Sequence, residues 1–384
     1  LVVAILLLAL LIFDRNAYKL IFDKKDAPFW IFLLLIMGGF VNAKNLSVAY
    51  GHFWAYIFPI LFLYFYAKST FKERHSALIL RCVCIMAASV AIYGFIELIS
   101  NKSLIYINYI NNQYYNIYAG FRMMSIHIHP APLGTYLAAI FPLSLALYMM
   151  EKNRLLKLIS IICAVIIFTG ALFTFSRGVL LALLIEMLII AFFSIKEKRI
   201  YYFYIILLPV LVILISSILN HYYGGLKVNF GRYSFRILTL VFEYSRKFML
   251  FLGAEKMILD QPFFGVGFGH FRVLFDHYFP SIASITEYDK KIADCMYLTI
   301  LAETGIIGFG GFMFFLYSIF KNIYRVLKVN LDNQNRFLLI GFFSGFIGIM
   351  CTFLTYDTLY WIAPSYIFWS YAGILSYLSA KKCH

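Results

Sequence analysis

Long apolar runs, separated by shorter polar segments, follow one another along most of the chain. A helix needs about 20 predominantly apolar residues to cross the hydrocarbon core of a membrane, and several runs reach that length. The pattern predicts an all-α fold, a polytopic helical membrane protein with about eleven or twelve transmembrane helices. Eleven spans are expected within the sequence, of which the second and third are short. They lie at residues 1–13, 28–41, 52–66, 77–99, 131–150, 158–174, 178–195, 200–219, 296–320, 337–356 and 364–380.

The composition agrees with this class. Hydrophobic residues make up 63% of the 384 residues and charged residues only 13%, and the mean hydropathy is +0.83. Soluble globular domains carry about 25% charged residues, so the soluble classes are excluded. Because no repeat or linker-like segment divides the chain, we predict a single membrane domain over 1–384. The chain begins inside an apolar run, so we expect its natural N-terminus to lie upstream.

The distribution of Lys and Arg predicts the orientation in the membrane. Of the 33 basic residues, twenty lie in one alternating set of polar segments and four in the short segments of the other set. Cytoplasmic loops are enriched in Lys and Arg, so the first set is predicted to be cytoplasmic. The long polar segment 220–295 then becomes a large extracytoplasmic loop. A net charge of +15 would suggest nucleic-acid binding in a soluble protein, but topology explains much of it here, and no nucleic-acid partner is predicted.

The long loop holds the remaining nine basic residues, which the topology does not require. Arg232, Arg236 and Arg246 belong to a set of polar residues that recur at spacings of three or four, with apolar residues between them. This pattern is typical of a helix with a basic stripe lying at the membrane surface. Such arginines could neutralise a pyrophosphate leaving group in a reaction without a metal ion. For any one of them, a solvated basic face attracted to anionic headgroups is the commoner explanation.

A second basic position lies in the short turn Thr174-Phe-Ser-Arg177-Gly178 between two spans. An arginine so close to the lipid boundary is costly unless it has a partner. One interpretation is that its side chain reaches to the interface. The other is that Arg177 binds a lipid-borne phosphate, since a guanidinium group binds phosphate oxygens with two parallel hydrogen bonds. We favour phosphate binding, because the short segments on this side are otherwise poor in basic residues.

Two carboxylates mark the point where the long loop returns to the membrane. Asp294 lies at the boundary, where it could accept a proton from an attacking hydroxyl group. Equally, it could simply cap the helix that follows. Glu303 lies about 2.5 turns into the span and is costly unless paired. We expect it to pair with an arginine across the bundle, in a structural role or in substrate binding.

Three histidines stand beside polar segments and are candidates for substrate contacts. His129 precedes Pro130, and the prolines that follow it are expected to start a helix. His270 and His277 follow a glycine-rich turn in the long loop. The two histidines at 127 and 129 have no carboxylate or cysteine nearby to complete a metal site. We therefore predict no metal and no other cofactor.

The glycine-rich turn itself, with Gly265, Gly267 and Gly269, resembles a dinucleotide fingerprint only superficially. Its spacing is G-x-G-x-G and no strand of a βαβ unit precedes it, so nucleotide binding is rejected. Glycines permit unusual backbone conformations and close backbone contacts. We expect a tight, flexible turn whose backbone approaches a sugar or a phosphate.

In combination, these segments resemble the O-antigen ligase and polymerase superfamily, whose members act on undecaprenyl-diphosphate-linked glycans at the outer face of the bacterial cytoplasmic membrane. The resemblance covers about residues 120–320. Each motif is short, but their order, spacing and topology together are more specific. Four pieces carry it: His129-Pro130-x-Pro132-Leu-Gly134; Ser176-Arg177-Gly178; Arg246 followed by Ala254 through Gly267; and Tyr297-Leu298 through Glu303-Thr-Gly305 and Gly308.

The resemblance implies metal-independent glycosyl transfer in the bacterial cytoplasmic membrane, with the active face extracytoplasmic. Arg177 and Arg246, helped by Arg232 or Arg236, would hold the donor diphosphate. Asp294, or a histidine near it, would take the proton from the acceptor hydroxyl. The implied partners are an undecaprenyl-diphosphate-linked glycan donor, a glycan acceptor and membrane lipids.

One departure from the family pattern bears on the product. The ligases carry a His-Asn pair before the Tyr-Leu stretch, and the histidine is regarded as catalytic, whereas this chain has Asp294 and Cys295. This difference favours an O-antigen or capsular polysaccharide polymerase over the alternative, a ligase that transfers the glycan to lipid A core or another acceptor. A non-enzymatic lipid-glycan transporter is less favoured, because the chain lacks paired interrupted helices in two related halves.

Overall fold

The computed structural model of the protein describes residues 24–100, 122–127, 129–194, 248, 250–278, 293–329 and 331–380. Within these ranges the regular structure is helical and includes no strand, which confirms the all-α membrane class. This part of the chain has six helices long and apolar enough to cross a membrane, at Leu46–Thr70, Glu73–Ser100, Pro130–Met150, Arg154–Phe173, Met296–Lys328 and Asn333–Thr352. The predicted spans 1–13 and 200–219 lie outside the described residues.

The main helices are numbered here in chain order. They are α1 (Ala27–Ile36), α2 (Leu46–His52), α3 (Phe58–Thr70), α4 (Ser76–Ser100), α5 (Pro130–Met150), α6 (Arg154–Phe173), α7 (Arg177–Ser194), α8 (Phe271–Tyr278), α9 (Met296–Lys328), α10 (Asn333–Thr352) and α11 (Ile362–Ala380).

The third predicted span is longer than its apolar run suggests. Asn45 caps α2 by accepting hydrogen bonds from the N–H groups of Ser47 and Val48, so the helix begins well before His52. A π-helical segment, Phe53–Ile57, then joins α2 to α3 without a break. Single π turns of this kind are frequent at functional sites.

The chain forms two compact units. Unit one comprises residues 1–76, 247–339 and 353–384, and unit two comprises 77–246 and 340–352.

In unit one, α1 packs on α9 and α3 packs on α11. Aromatic rings also join α1 to α3 and to α11: the ring of Phe29 stacks on Tyr64 of α3 with 4.1 Å between centroids, and Phe32 stacks on Trp369 of α11 at 5.8 Å. At the beginning of α1, the buried Asp26 pairs with the buried Lys68 of α3 and accepts a 2.8 Å hydrogen bond from the Tyr64 hydroxyl. A buried charge of this kind is tolerated only when it is paired, so this pair fixes the register of α1 against α3.

In unit two, α5 is the central helix and is buried along most of its length. Small residues let its neighbours approach closely, as in other membrane helix packing. A Cβ atom at Gly170 of α6 would lie 2.8 Å from the Cβ of Ala91 in α4 and 3.1 Å from Leu137 in α5. Helices α4, α5 and α6 are therefore in close contact at this level.

Candidate functional site

Helix α9 is broken at Gly305, whose backbone has φ 65° and ψ −173°. At the break, nearby backbone N–H and C=O groups lose their helical hydrogen-bond partners. Such groups are costly to leave unpaired in a membrane. The glycine-rich turn supplies replacements. The carbonyl of Ala302 accepts from the N–H of Val266 at 2.9 Å, and that of Glu303 accepts from Gly267 at 3.2 Å. In return, the N–H of Ile306 donates to the carbonyl of Pro262 at 2.8 Å.

Glycines make this contact possible because two backbones meet without side chains between them. Gly265 has φ +71°, and a Cβ atom there would lie 2.3 Å from the carbonyl carbon of Glu303. A Cβ at Gly305 would lie 2.3 Å from the backbone of Phe263. The turn was expected to approach a sugar or phosphate, but its backbone approaches the protein's own broken helix.

Glu303 lies at this break, and its carboxylate is buried. One oxygen accepts a 3.1 Å hydrogen bond from the N–H of Phe271, and the other accepts from the Tyr360 hydroxyl. Burial, followed by the nearby Glu303 charge, raises the pKa of Tyr360 well above its usual value, so its hydroxyl remains a donor. The partner of Glu303 is thus a tyrosine and a backbone amide, and no arginine pairs with it among the described residues.

Beside Glu303 lies an apolar cavity of about 40 Å³. Its wall is formed by aromatic and aliphatic side chains, including Phe32, Ile60, Met296, Phe312 and Trp369, with Glu303 and Tyr360 among the lining residues. Hydrogen bonds in such apolar surroundings are electrostatically stronger than in water. The Glu303–Tyr360 contact therefore holds the loop of Tyr360 firmly against α9.

His270 is completely buried, and both ring nitrogens are bonded. Nε2 accepts from the N–H of Asn45 at 3.0 Å, so the proton lies on Nδ1, 2.8 Å from the carbonyl of Phe268. In this arrangement His270 joins the glycine-rich turn to the start of α2. His277, by contrast, is exposed on α8 and contacts the ring of Tyr278.

Several residues of this region were not found from the sequence. The ring of His52 lies against Gly269 and contacts the rings of Tyr56, at 5.2 Å, and Tyr360, at 5.7 Å. The exposed Arg272 acts electrostatically on His52 and Tyr56. His52 and Tyr56 belong to the third predicted span, for which the sequence indicates only a membrane helix. Tyr360 follows more than 300 residues later, so no local pattern indicates this cluster.

Asp294 lies in the left-handed region, with φ 53°, and is partly exposed. A non-glycine residue is uncommon in this conformation, and it often marks a functional site. The N-cap of α9 is Cys295, which makes no side-chain cap hydrogen bond. The N-cap position thus belongs to Cys295 and not to Asp294.

In unit two, Arg177 is the first residue of α7 and is exposed. The preceding turn contains Phe175 in the left-handed region, with φ 49°. Arg122 holds this turn through a 2.8 Å hydrogen bond from its Nε to the carbonyl of Thr174. A second hydrogen bond, from the N–H of Met123 to the carbonyl of Phe173 at 3.0 Å, joins the same two segments. In the sequence Arg122 is only one basic residue of a short polar segment, so its role follows from the structure alone.

His129 begins α5, as the prolines indicated: its Nδ1 accepts the N–H of Ala131 at 3.2 Å. Nearby, burial lowers the pKa of His127 to about 4, so this ring is neutral. The motif that starts with His129 also touches the Arg177 turn, since a Cβ at Gly134 would lie 2.6 Å from Oγ1 of Thr174. The first two motifs of the resemblance therefore meet in unit two.

The three loop arginines, Arg232, Arg236 and Arg246, lie outside the described residues, and their predicted role stays a prediction. Among the residues that the structure describes, no group of three His, Cys, Asp or Glu side chains is arranged to hold a metal ion.

The middle of the chain, which contains most of these motifs, is similar to a known protein family. Residues 162–313 match the family model described as O-antigen ligase. This region is similar to the O-antigen ligase family. The match includes the turn of Arg177, the loop turn, Asp294 and the break at Gly305, and it confirms the resemblance to the O-antigen ligase and polymerase superfamily. No curated protein matches the chain. The O-antigen ligase family points to glycosyl transfer of the ligase or polymerase type, between lipid-linked glycans and acceptors.

Proposed function

We propose that this member of the O-antigen ligase family is a polysaccharide polymerase. It transfers a glycan from an undecaprenyl-diphosphate-linked donor to a sugar hydroxyl group of the acceptor. The observation that carries the proposal is the family match over 162–313, in which Asp294 stands in a left-handed turn at the position where the ligases carry histidine.

The donor diphosphate is bound by arginines. Arg177 suits this role because it is exposed at the first residue of α7, where the N-terminal N–H groups of the helix also favour an anion. Arg122 holds the turn in place from behind. We propose that Arg246, with Arg232 or Arg236, completes the neutralisation of the leaving diphosphate.

The proton is taken by Asp294. The acceptor oxygen attacks the anomeric carbon and forms the new glycosidic bond, with inversion. The bond from the anomeric carbon to the phosphate oxygen breaks, and its electron pair leaves with undecaprenyl diphosphate. Asp294 receives the hydroxyl proton, a role for which its carboxylate is accessible.

The other predicted site residues have supporting or substrate-contacting roles in this proposal. Glu303 and His270 are buried and bonded, so they maintain the broken helix and the turn that carry the site. The exposed His277 and the partly exposed His129 remain candidates for contacts with sugar hydroxyls.

We propose that this chemistry takes place outside the bacterial cytoplasmic membrane. Support comes from the excess of Lys and Arg in the polar segments predicted to be cytoplasmic, compared with the segments that hold Arg177 and Asp294. The single membrane domain, with an extracytoplasmic loop over 220–295, belongs to the same proposal.

Asp294→Asn is expected to lower the rate of polymer formation by about 100-fold or more, because an amide cannot accept the proton. The rate is measured with purified full-length protein and lipid-linked repeat units. Cys295→Ser is the matched control, since it changes the neighbouring N-cap residue and should retain most activity. Equal and normal activity of both variants would remove Asp294 from the mechanism.

Deletion of the gene separates the polymerase from the ligase, the alternative favoured by the description of the matching family. For a polymerase, surface glycans resolved on a gel should lose their ladder of lengths, while single repeat units still reach the final acceptor. For a ligase, full-length glycans should accumulate on the lipid carrier and leave the acceptor bare. Unchanged glycans in the deletion strain would contradict both functions.

A further inference from the structure

A second carboxylate, Asp357, lies behind Asp294. It belongs to the connection between α10 and α11, and its side chain is fully buried. One oxygen accepts a hydrogen bond from the hydroxyl of Thr299, one turn into α9. The backbone of Asp294 donates a hydrogen bond to the same carboxyl group. The connection is also tied to α9 by the N–H of Met296, which donates to the carbonyl of Phe353 at 2.8 Å.

We propose that Asp357 is a positioning residue that holds Asp294 in its left-handed conformation and directs its carboxylate away from the protein interior. The inference rests on the proposed function, in which Asp294 accepts the proton. Asp357 does not touch the substrate and acts only through Asp294.

The physical reason lies in the cost of the Asp294 conformation. A non-glycine residue is disfavoured in the left-handed region, so the surrounding structure must stabilise it. An ionised carboxylate accepts a backbone N–H more strongly than a neutral acid does. The same negative charge repels the Asp294 carboxylate. Both effects favour an outward-facing Asp294, and both weaken when Asp357 is protonated.

The charge state of Asp357 changes near neutral pH. Burial raises the pKa of Asp357 to about 7, and the charges of Asp294 and Glu303 act in the same direction. The Thr299 and Asp294 hydrogen bonds oppose this change. From its own loop, Asp357 also faces Tyr360. Since Asp357 is ionised only above its pKa, Asp294 is best positioned on the alkaline side of about pH 7.

The test is the pH dependence of polymer formation by the full-length protein. Its substrate is the repeat unit, isolated as the lipid-linked diphosphate from the deletion strain. The wild-type rate should rise as the pH increases through about 7. Asp357→Asn should remove this rise and lower the rate at alkaline pH by about tenfold, a barrier increase of about 1.4 kcal/mol, with KM for the donor unchanged. A wild-type pH profile in Asp357→Asn would overturn the inference.

A second variant decides the matter even if Asp357→Asn does not fold. Thr299→Val keeps the side-chain shape but removes the hydrogen bond that favours ionised Asp357, so the rise should move to higher pH. An unmoved midpoint in this variant would also overturn the inference. These outcomes differ from failure of the proposed function, because only that failure would leave Asp294→Asn active.

Discussion

Arg177→Ala is expected to abolish polymer formation, with a loss of about 100-fold or more, while the protein still inserts and folds. The residue is exposed at the start of α7, so its removal leaves no cavity. In the proposed mechanism the variant loses a charged donor to the leaving diphosphate, and one such donor typically contributes about 10²–10³ in rate. The measurement is the rate of polymer formation by purified protein, after size-exclusion chromatography has shown a normal profile.

Two further variants serve as controls for Arg177→Ala. Arg177→Lys keeps the charge but lacks the planar fork that binds two phosphate oxygens, so it should restore little activity. Arg154→Ala removes an exposed arginine from the other end of α6 and should leave activity unchanged. Full activity of Arg177→Ala would eliminate the diphosphate-binding role, and full rescue by lysine would reduce that role to charge alone.

Gly265→Ala and Gly305→Ala are each expected to destabilise the protein severely. Both glycines are in the left-handed region, which costs other residues about 1–2 kcal/mol. In addition, the new Cβ atoms would lie 2.3 Å from backbone atoms, which cannot rotate away as a side chain can. The turn should separate from α9, and the backbone hydrogen bonds at the break should be lost. Thermal unfolding in detergent measures this as a lower Tm.

Gly310→Ala is the matched control on the same helix. A Cβ atom there meets nothing within 4 Å, and Gly310 is exposed. Alanine is favoured over glycine inside a helix by about 1 kcal/mol, so Tm should stay constant or rise. If Gly265→Ala and Gly305→Ala unfold at the wild-type temperature, the turn is not held at the break in the way described.

Glu303 could be predicted from the sequence only in part. Its position in an apolar span showed that it needs a partner, and the structure contains one. Among the described residues that partner is Tyr360 and not the expected arginine, since the sequence indicates only the need for a hydrogen bond and not which group will meet it. Tyr360 lies 57 residues away, in a connection whose path depends on the packing of α10 and α11.

Asp294 is a second example. The sequence left open whether it caps α9 or takes part in chemistry, since both roles occur at helix entries. The structure gives the N-cap position to Cys295 and places Asp294 just before it, in the left-handed region. The buried Asp357 behind it could not be found from the sequence, where it stands as one aspartate near the end of an apolar span.

The sequence by itself determined that the chain forms apolar helices in a membrane, where the short turns lie, and which family its motifs resemble. These properties follow from local chemistry: apolar side chains enter lipid, prolines and capping residues start helices, and the order of the motifs is read directly. Only the tertiary structure decided that the glycine-rich turn joins the break in α9 and that the buried Asp357 lies behind Asp294. Such contacts join residues far apart in the chain, and the geometry of each depends on how all the helices between them pack.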